Sequence, residues 1–194
     1  VRAAAALLSL ALLAHPAAAQ PIASPAIGTV VTWNAPGAVW TVTGSDAAGI
    51  EIAAAAPGGA RNPLRIVGGL FPSAEGGHDT RFDAARLATL PPLEPGRVVT
   101  FDAEETGPDG TARWFVHVAV TARQTVEVPA GRFDVVVIEH HRRGTAADGT
   151  AAESLTEWQV APALGLPVAM RSWRLADGQQ QPTLDLQAVE IRLP

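Results

Sequence analysis

The chain has no cysteine, no tyrosine and no lysine; all fourteen of its basic residues are arginine. Without cysteine there is no disulfide, no thiolate metal site and no thiol nucleophile. Without lysine there is no Schiff-base chemistry, and tyrosine cannot serve as nucleophile or acid. The formal net charge of -5 argues against general nucleic-acid binding. Helix is scarce too. After the first twenty residues no apolar run is long enough to cross a bilayer as a helix. His-x-x-x-His, HExxH and G-x-S-x-G are all absent, so neither a helical zinc site nor a nucleophile elbow is encoded. No metal and no cofactor is expected.

The first segment reads VRAAAALLSLALLAHPAAAQ. Arg2 followed by an apolar stretch from Ala3 to Leu13 and small residues at Ala17–Ala19 has the order of a secretory signal peptide. Residues 1–19 are expected to be removed and 20–194 to form one domain. Gln20 stands where a lipoprotein would carry cysteine, so the expected product is free of a lipid anchor and periplasmic or secreted, in a Gram-negative bacterium. With no disulfide, its stability must come from its core.

The rest alternates β-type runs with turn signals. GTVVTWN, AVWTVTG and IEIAAA are separated by NAPG and GSDAAG. VVTFDAEET and ARWFVHVAV flank GPDG; EHHRR and ESLTEWQV flank GTAADGT; PVAMRSWRL and PTLDLQAVEIRL flank ADGQQQ. Asp-Gly at Asp109, Asp148 and Asp177 is a hairpin signal, because glycine takes positive φ at little cost. Short connections make consecutive strands antiparallel neighbours. The expected fold is mainly β: an antiparallel meander of about ten strands with one short helix, DAARLATL, capped by Asp83 and stopped at Pro91-Pro92. So little helix cannot cover so large a sheet, which must curl into a half-barrel, a barrel or a sandwich.

Alternation assigns faces. Trp114, Val116, Val118 and Val120 share one side, and Phe115, His117 and Ala119 the other. Trp40 and Val42 oppose Thr41 and Thr43. FDVVVI is apolar on both faces and suits a strand covered on both sides. Around Pro129–Gly131 two registers stay open: a bulged type I turn facing Val126 with Asp134, or a four-residue loop facing Val126 with Val135.

Two segments resemble a group of exported bacterial β-rich proteins of unknown function. Their pattern is V-x-V-P-A-G-x-F, here Val126–Phe133, then an aromatic residue shortly before P-x-L-G-x-x-V, here Trp158 and Pro162–Val168. LPPLEPGRVVTF, Leu90–Phe101, looks like a third shared element. Such proteins are similar to the half-barrels of periplasmic lipoprotein carriers. That resemblance implies a concave apolar sheet able to hold an acyl chain.

Three groups of residues are site candidates. Trp33, Trp40 and Trp158 lie near strand ends, where they would line the mouth of an apolar pocket. His117 and His141, if paired across strands, with Glu153 and Glu157 would make a histidine–carboxylate site of a periplasmic hydrolase or metal-dependent enzyme. Ser73, His78 and Asp79, in and near the loop-like GGHDT, offer a triad on paper. The plainer reading of His140-His141-Arg142-Arg143 is a polar strand end entering a loop. The expected function is thus an exported, non-enzymatic protein. It binds a lipid or amphipathic small molecule, or an envelope protein; a structural envelope module is the remaining alternative.

Overall fold

The computed structural model describes residues 21–194 except 48, 56–60, 76 and 177–178, so the expected signal segment and the Asp177-Gly178 turn lie outside the described residues. Twelve strands follow one another: β1 Val30–Trp33, β2 Val39–Asp46, β3 Gly49–Ala55, β4 Arg61–Val67, β5 Phe71–Glu75 and β6 His78–Phe82. A single turn of helix, α1 Ala84–Leu87, precedes β7 Val98–Gly107, β8 Gly110–Val128, β9 Gly131–Thr145, β10 Ala151–Ala161, β11 Leu166–Ala176 and β12 Gln179–Arg192. Each strand pairs antiparallel with the next, and β12 returns to β1, so the sheet closes into a barrel. The seam is thinnest at β5–β6, where two residue pairs join the strands.

The barrel has two unlike ends. At one, α1 and the loop after it cap the interior with Leu87, Leu90 and Leu93, all buried. Asp83 caps α1 as expected, its Oδ1 accepting from the N–H of Ala85 at 3.0 Å and of Arg86 at 3.1 Å. Arg97 donates to the carbonyls of Leu90, Thr89 and Pro91, and Arg123 to that of Leu93, which ties the loop to the wall. The β8–β9 tip reaches across the same end, with the Ala130 N–H 3.0 Å from the Ala188 carbonyl of β12. Val135–Ile138, in the strand that follows this tip, is buried on both faces, as its apolar run predicted. The core behind this cap is aromatic and aliphatic: Trp33 meets Trp40 edge-on at 4.9 Å, and Phe71, Phe82 and Phe101 form a second cluster. Burying such residues supplies the main drive for folding, at roughly 25 cal/mol per Å² of apolar surface.

The opposite end carries the β7–β8, β9–β10 and β11–β12 hairpins. The inner row predicted on β8 is observed: Val116, Val118 and Val120 are buried and Phe115 faces out. Three strands, β4 to β6, were not legible as strands, whereas TVEV continues β8 through a bulge after Val120 instead of forming a strand of its own. Within GGHDT only Gly77 is a turn residue among those described; His78–Thr80 belong to β6, whose residues Asp79–Phe82 pair with β7, so the expected loop is shorter than its sequence suggested. At Pro129-Ala130 the turn is tighter than either expected register: Val128 faces Gly131, which has φ 137, and Val126 faces Phe133.

No helix among the described residues is long and apolar enough to cross a membrane.

Candidate functional site

HHRR is not a strand end. β9 runs on to Thr145, so alternation sends His140 and Arg142 into the barrel and His141 and Arg143 out. His140 is only 3% exposed, with its ring 5.0 Å from that of Trp158 and 5.4 Å from that of Phe71. Burial lowers its pKa from 6.5 to about 3; the Leu70 main chain opposes this and the charge of Arg142 adds to it. The ring is therefore neutral at physiological pH. Its Nε2 is buried without a protein partner.

Arg142 takes the next inward position toward the hairpin end, opposite the leucine cap. Its guanidinium lies over the Trp114 ring, 4.4 Å from the centroid, and its Nη2 donates to Glu105 Oε2. Glu105 also meets His78, with Nδ1 and Oε1 3.4 Å apart. Arg142 Nε is buried without a protein partner. Across β10 and β11, Thr156 Oγ1 and Ser172 Oγ are 2.9 Å apart. Sequence reasoning missed Glu105, Arg142 as an inward group, Thr156 and Ser172. The signal that could have found them is the β8–β9 register, which places Val118 beside His140 and Val116 beside Arg142.

Two spaces adjoin this polar layer. Beneath it is a pocket of about 120 Å³ lined by His140, Arg142, Thr156 and Ser172 with Trp40, Trp158 and other apolar residues. Outside it, a solvent-open groove of about 1200 Å³ follows the projecting strands, with Trp114, Phe115, Trp173 and Leu175 beside Arg143 and Arg174. Ser172 lines both. Gly144 permits the close approach of β8 and β9 here, since any Cβ would strike the Arg113 carbonyl.

The tryptophan candidates divide. Trp33 lies in the packed core at 2% exposure and reaches no rim. Trp40 and Trp158 are also buried, but they line the small inner pocket. The aromatic residues lining the outer groove are Trp114, Phe115 and Trp173.

The histidine–carboxylate candidates lie on the outer face. His117 and His141 stand directly opposite each other on β8 and β9. His141 Nε2 lies 2.5 Å from Glu153 Oε1, both side chains being about two-fifths exposed. Glu157 accepts from Gln159 Nε2 at 2.8 Å instead. Ser73, His78 and Asp79 do not form a triad, because His78 and Asp79 are adjacent on β6 and leave on opposite faces. Among the described residues no three His, Asp or Glu side chains are grouped to hold a metal ion.

Fold and site together define a twelve-stranded antiparallel barrel, capped by leucines at one end and polar-lined at the other. No protein family matches the sequence, and no curated protein does. Its fold is similar to that of a Bacteroides fragilis protein described as exported and YmcC-like, with a TM-score of 0.53, 15% identity and coverage of 89% of this chain and 99% of that one. The hypothetical lipoprotein YmcC of Escherichia coli K12 gives a TM-score of 0.49 and 10% identity over 84% of this chain and 82% of that one.

Proposed function

We propose that the chain is an exported, non-enzymatic cell-envelope protein that binds an amphipathic ligand through the hairpin end of its barrel, opposite the leucine cap. The observation that carries this reading is the groove of about 1200 Å³, where aromatic and aliphatic side chains alternate with arginines above a polar inner layer. Such a surface offers apolar area to a chain and cations or hydrogen bonds to a head group. The signal-like residues 1–19, and the description of the similarly folded Bacteroides fragilis protein as exported, support an envelope location. At about 0.8 kcal/mol per buried methylene, a partly enclosed acyl chain reaches micromolar affinity.

Tryptophan fluorescence tests it. Delipidated protein is titrated with fatty acids, lysophospholipids and detergent monomers. A saturable spectral shift that is lost in Trp173→Phe and Trp114→Phe supports the reading. No saturable response to any of them would leave a structural envelope module as the better account. Protein recovered from its native host should begin at Gln20; uncleaved protein in the cytoplasm would overturn the envelope location.

A further inference from the structure

The inner pocket beneath Arg142 carries a more specific demand than the groove outside it. Its volume, about 120 Å³, is the share of about four water molecules in the liquid. That is room for a head group of a few heavy atoms. Its walls are apolar on one side, with Trp40, Trp158 and Met170, and hydrogen-bonding on the other.

Two of the polar atoms around it are buried with no protein partner, and their needs are opposite. Arg142 Nε–H is a donor and needs an acceptor. The neutral His140 ring has one donor and one acceptor nitrogen. Its contact with the Leu70 main chain favours the charged ring, as an N–H donating to a carbonyl does, so the remaining Nε2 presents a lone pair. Leaving such groups unpaired in a buried site is costly. A hydroxyl satisfies both at once, whether that of water or of a ligand that displaces it, by accepting from Arg142 and donating to His140. The Thr156–Ser172 hydroxyl pair lies in the same wall and can accept or donate to a second hydroxyl. A carboxylate satisfies Arg142 alone and sets its negative charge against the His140 lone pair.

We propose that the inner pocket is a head-group subsite for an uncharged, hydroxyl-bearing amphiphile, with the hydroxyl bridging Arg142 Nε and His140 Nε2 and the apolar tail running past Ser172 into the outer groove. The subsite rests on the ligand-binding reading above and narrows it to alcohols and glycerol-type heads.

The test uses the mature protein and three probes of one chain length: dodecanol, dodecyl methyl ether and laurate. Each is titrated by tryptophan fluorescence at neutral pH. The methyl ether accepts a hydrogen bond but cannot donate one. Dodecanol should bind about tenfold or more tighter than the ether and tighter than laurate, the ratio expected for one buried group left unpaired. His140→Phe should abolish that preference, and His140→Gln, which keeps an acceptor, should restore part of it. In the unmutated protein the His140 Nε2 chemical shift, read by NMR, should move with dodecanol and stay with the ether, a readout that needs no variant to fold. Equal affinities and an unmoved His140 signal would overturn the subsite while leaving the wider groove as a binding surface. No saturable binding of any probe would remove both.

Discussion

Arg142 stacks on Trp114 from inside the barrel, its guanidinium carbon 4.4 Å from the ring centroid, while the same guanidinium holds Glu105. Three strands thereby fix one cation, which stands between the inner pocket and the outer groove. Both ionic side chains are only about a fifth to a quarter exposed. Glu105→Gln should therefore destabilise the fold by about 1–2 kcal/mol, above the surface-pair level and below that of a fully buried pair. Urea unfolding at neutral pH reads this. A loss within measurement error would mean the pair is solvated.

His140 makes stability depend on pH in a definite direction. Its folded pKa, about 3, lies below the unfolded value of 6.5, so the unfolded chain binds the proton first. The stabilisation is whole above pH 6.5 and declines as pH falls toward 3. Between neutrality and pH 5 the loss from this residue is about 2 kcal/mol. The urea midpoint of the parent should fall relative to that of His140→Phe over that interval, by the equivalent of about 2 kcal/mol. Parallel curves would show that the ring is not held neutral.

His141, the next residue, faces outward. Its pair with Glu153 is half in solvent. His141→Ala should shift stability by no more than about 0.5 kcal/mol and leave the His140 pH dependence intact. A bound, stoichiometric zinc ion lost in this variant would instead revive the outer-face metal site.

Gly165 should be intolerant of side chains. It has φ 70, and a Cβ would run into the Ala23 carbonyl of the segment that crosses the β10–β11 turn. That segment is held there by the Ala23 N–H bonding the Pro162 carbonyl at 2.8 Å. Gly165→Val should cost about 2 kcal/mol or more, from backbone strain and the clash together. It should also speed proteolysis near residue 23. A parent-like midpoint would show that the turn relaxes freely.

The meander and its curling could be read from the sequence because the evidence for them is local. Asp-Gly turns and period-two runs mark β7 to β12 almost strand by strand. β4 to β6 escaped because RNPLRIV and FPSAE contain proline and HDTRF is nearly all polar, which local patterning scores as loop. The inner polar layer escaped for another reason. Which of His140 and His141 turns inward depends on parity across the whole length of β9, and the turn at Pro129-Ala130 that sets it had been left open. The cap was only half legible: Leu87 sits on the predicted short helix, whereas Leu90 and Leu93 close the barrel from the loop after it.

The barrel is completed by β1 lying against β12, with Val30 opposite Arg192. The other strand pairs are consecutive in the chain, most joined by short turns and β6–β7 by the longer segment that holds α1, but this one joins residues from near opposite ends of the chain, and its loop-closure entropy is correspondingly large. The ring should therefore zip up hairpin by hairpin and shut last at that seam. Until it shuts, the curved sheet has two bare edges able to recruit another chain. Deleting β1 would hold it in that state, and the outcome to look for is strand-mediated oligomers rather than an unfolded monomer.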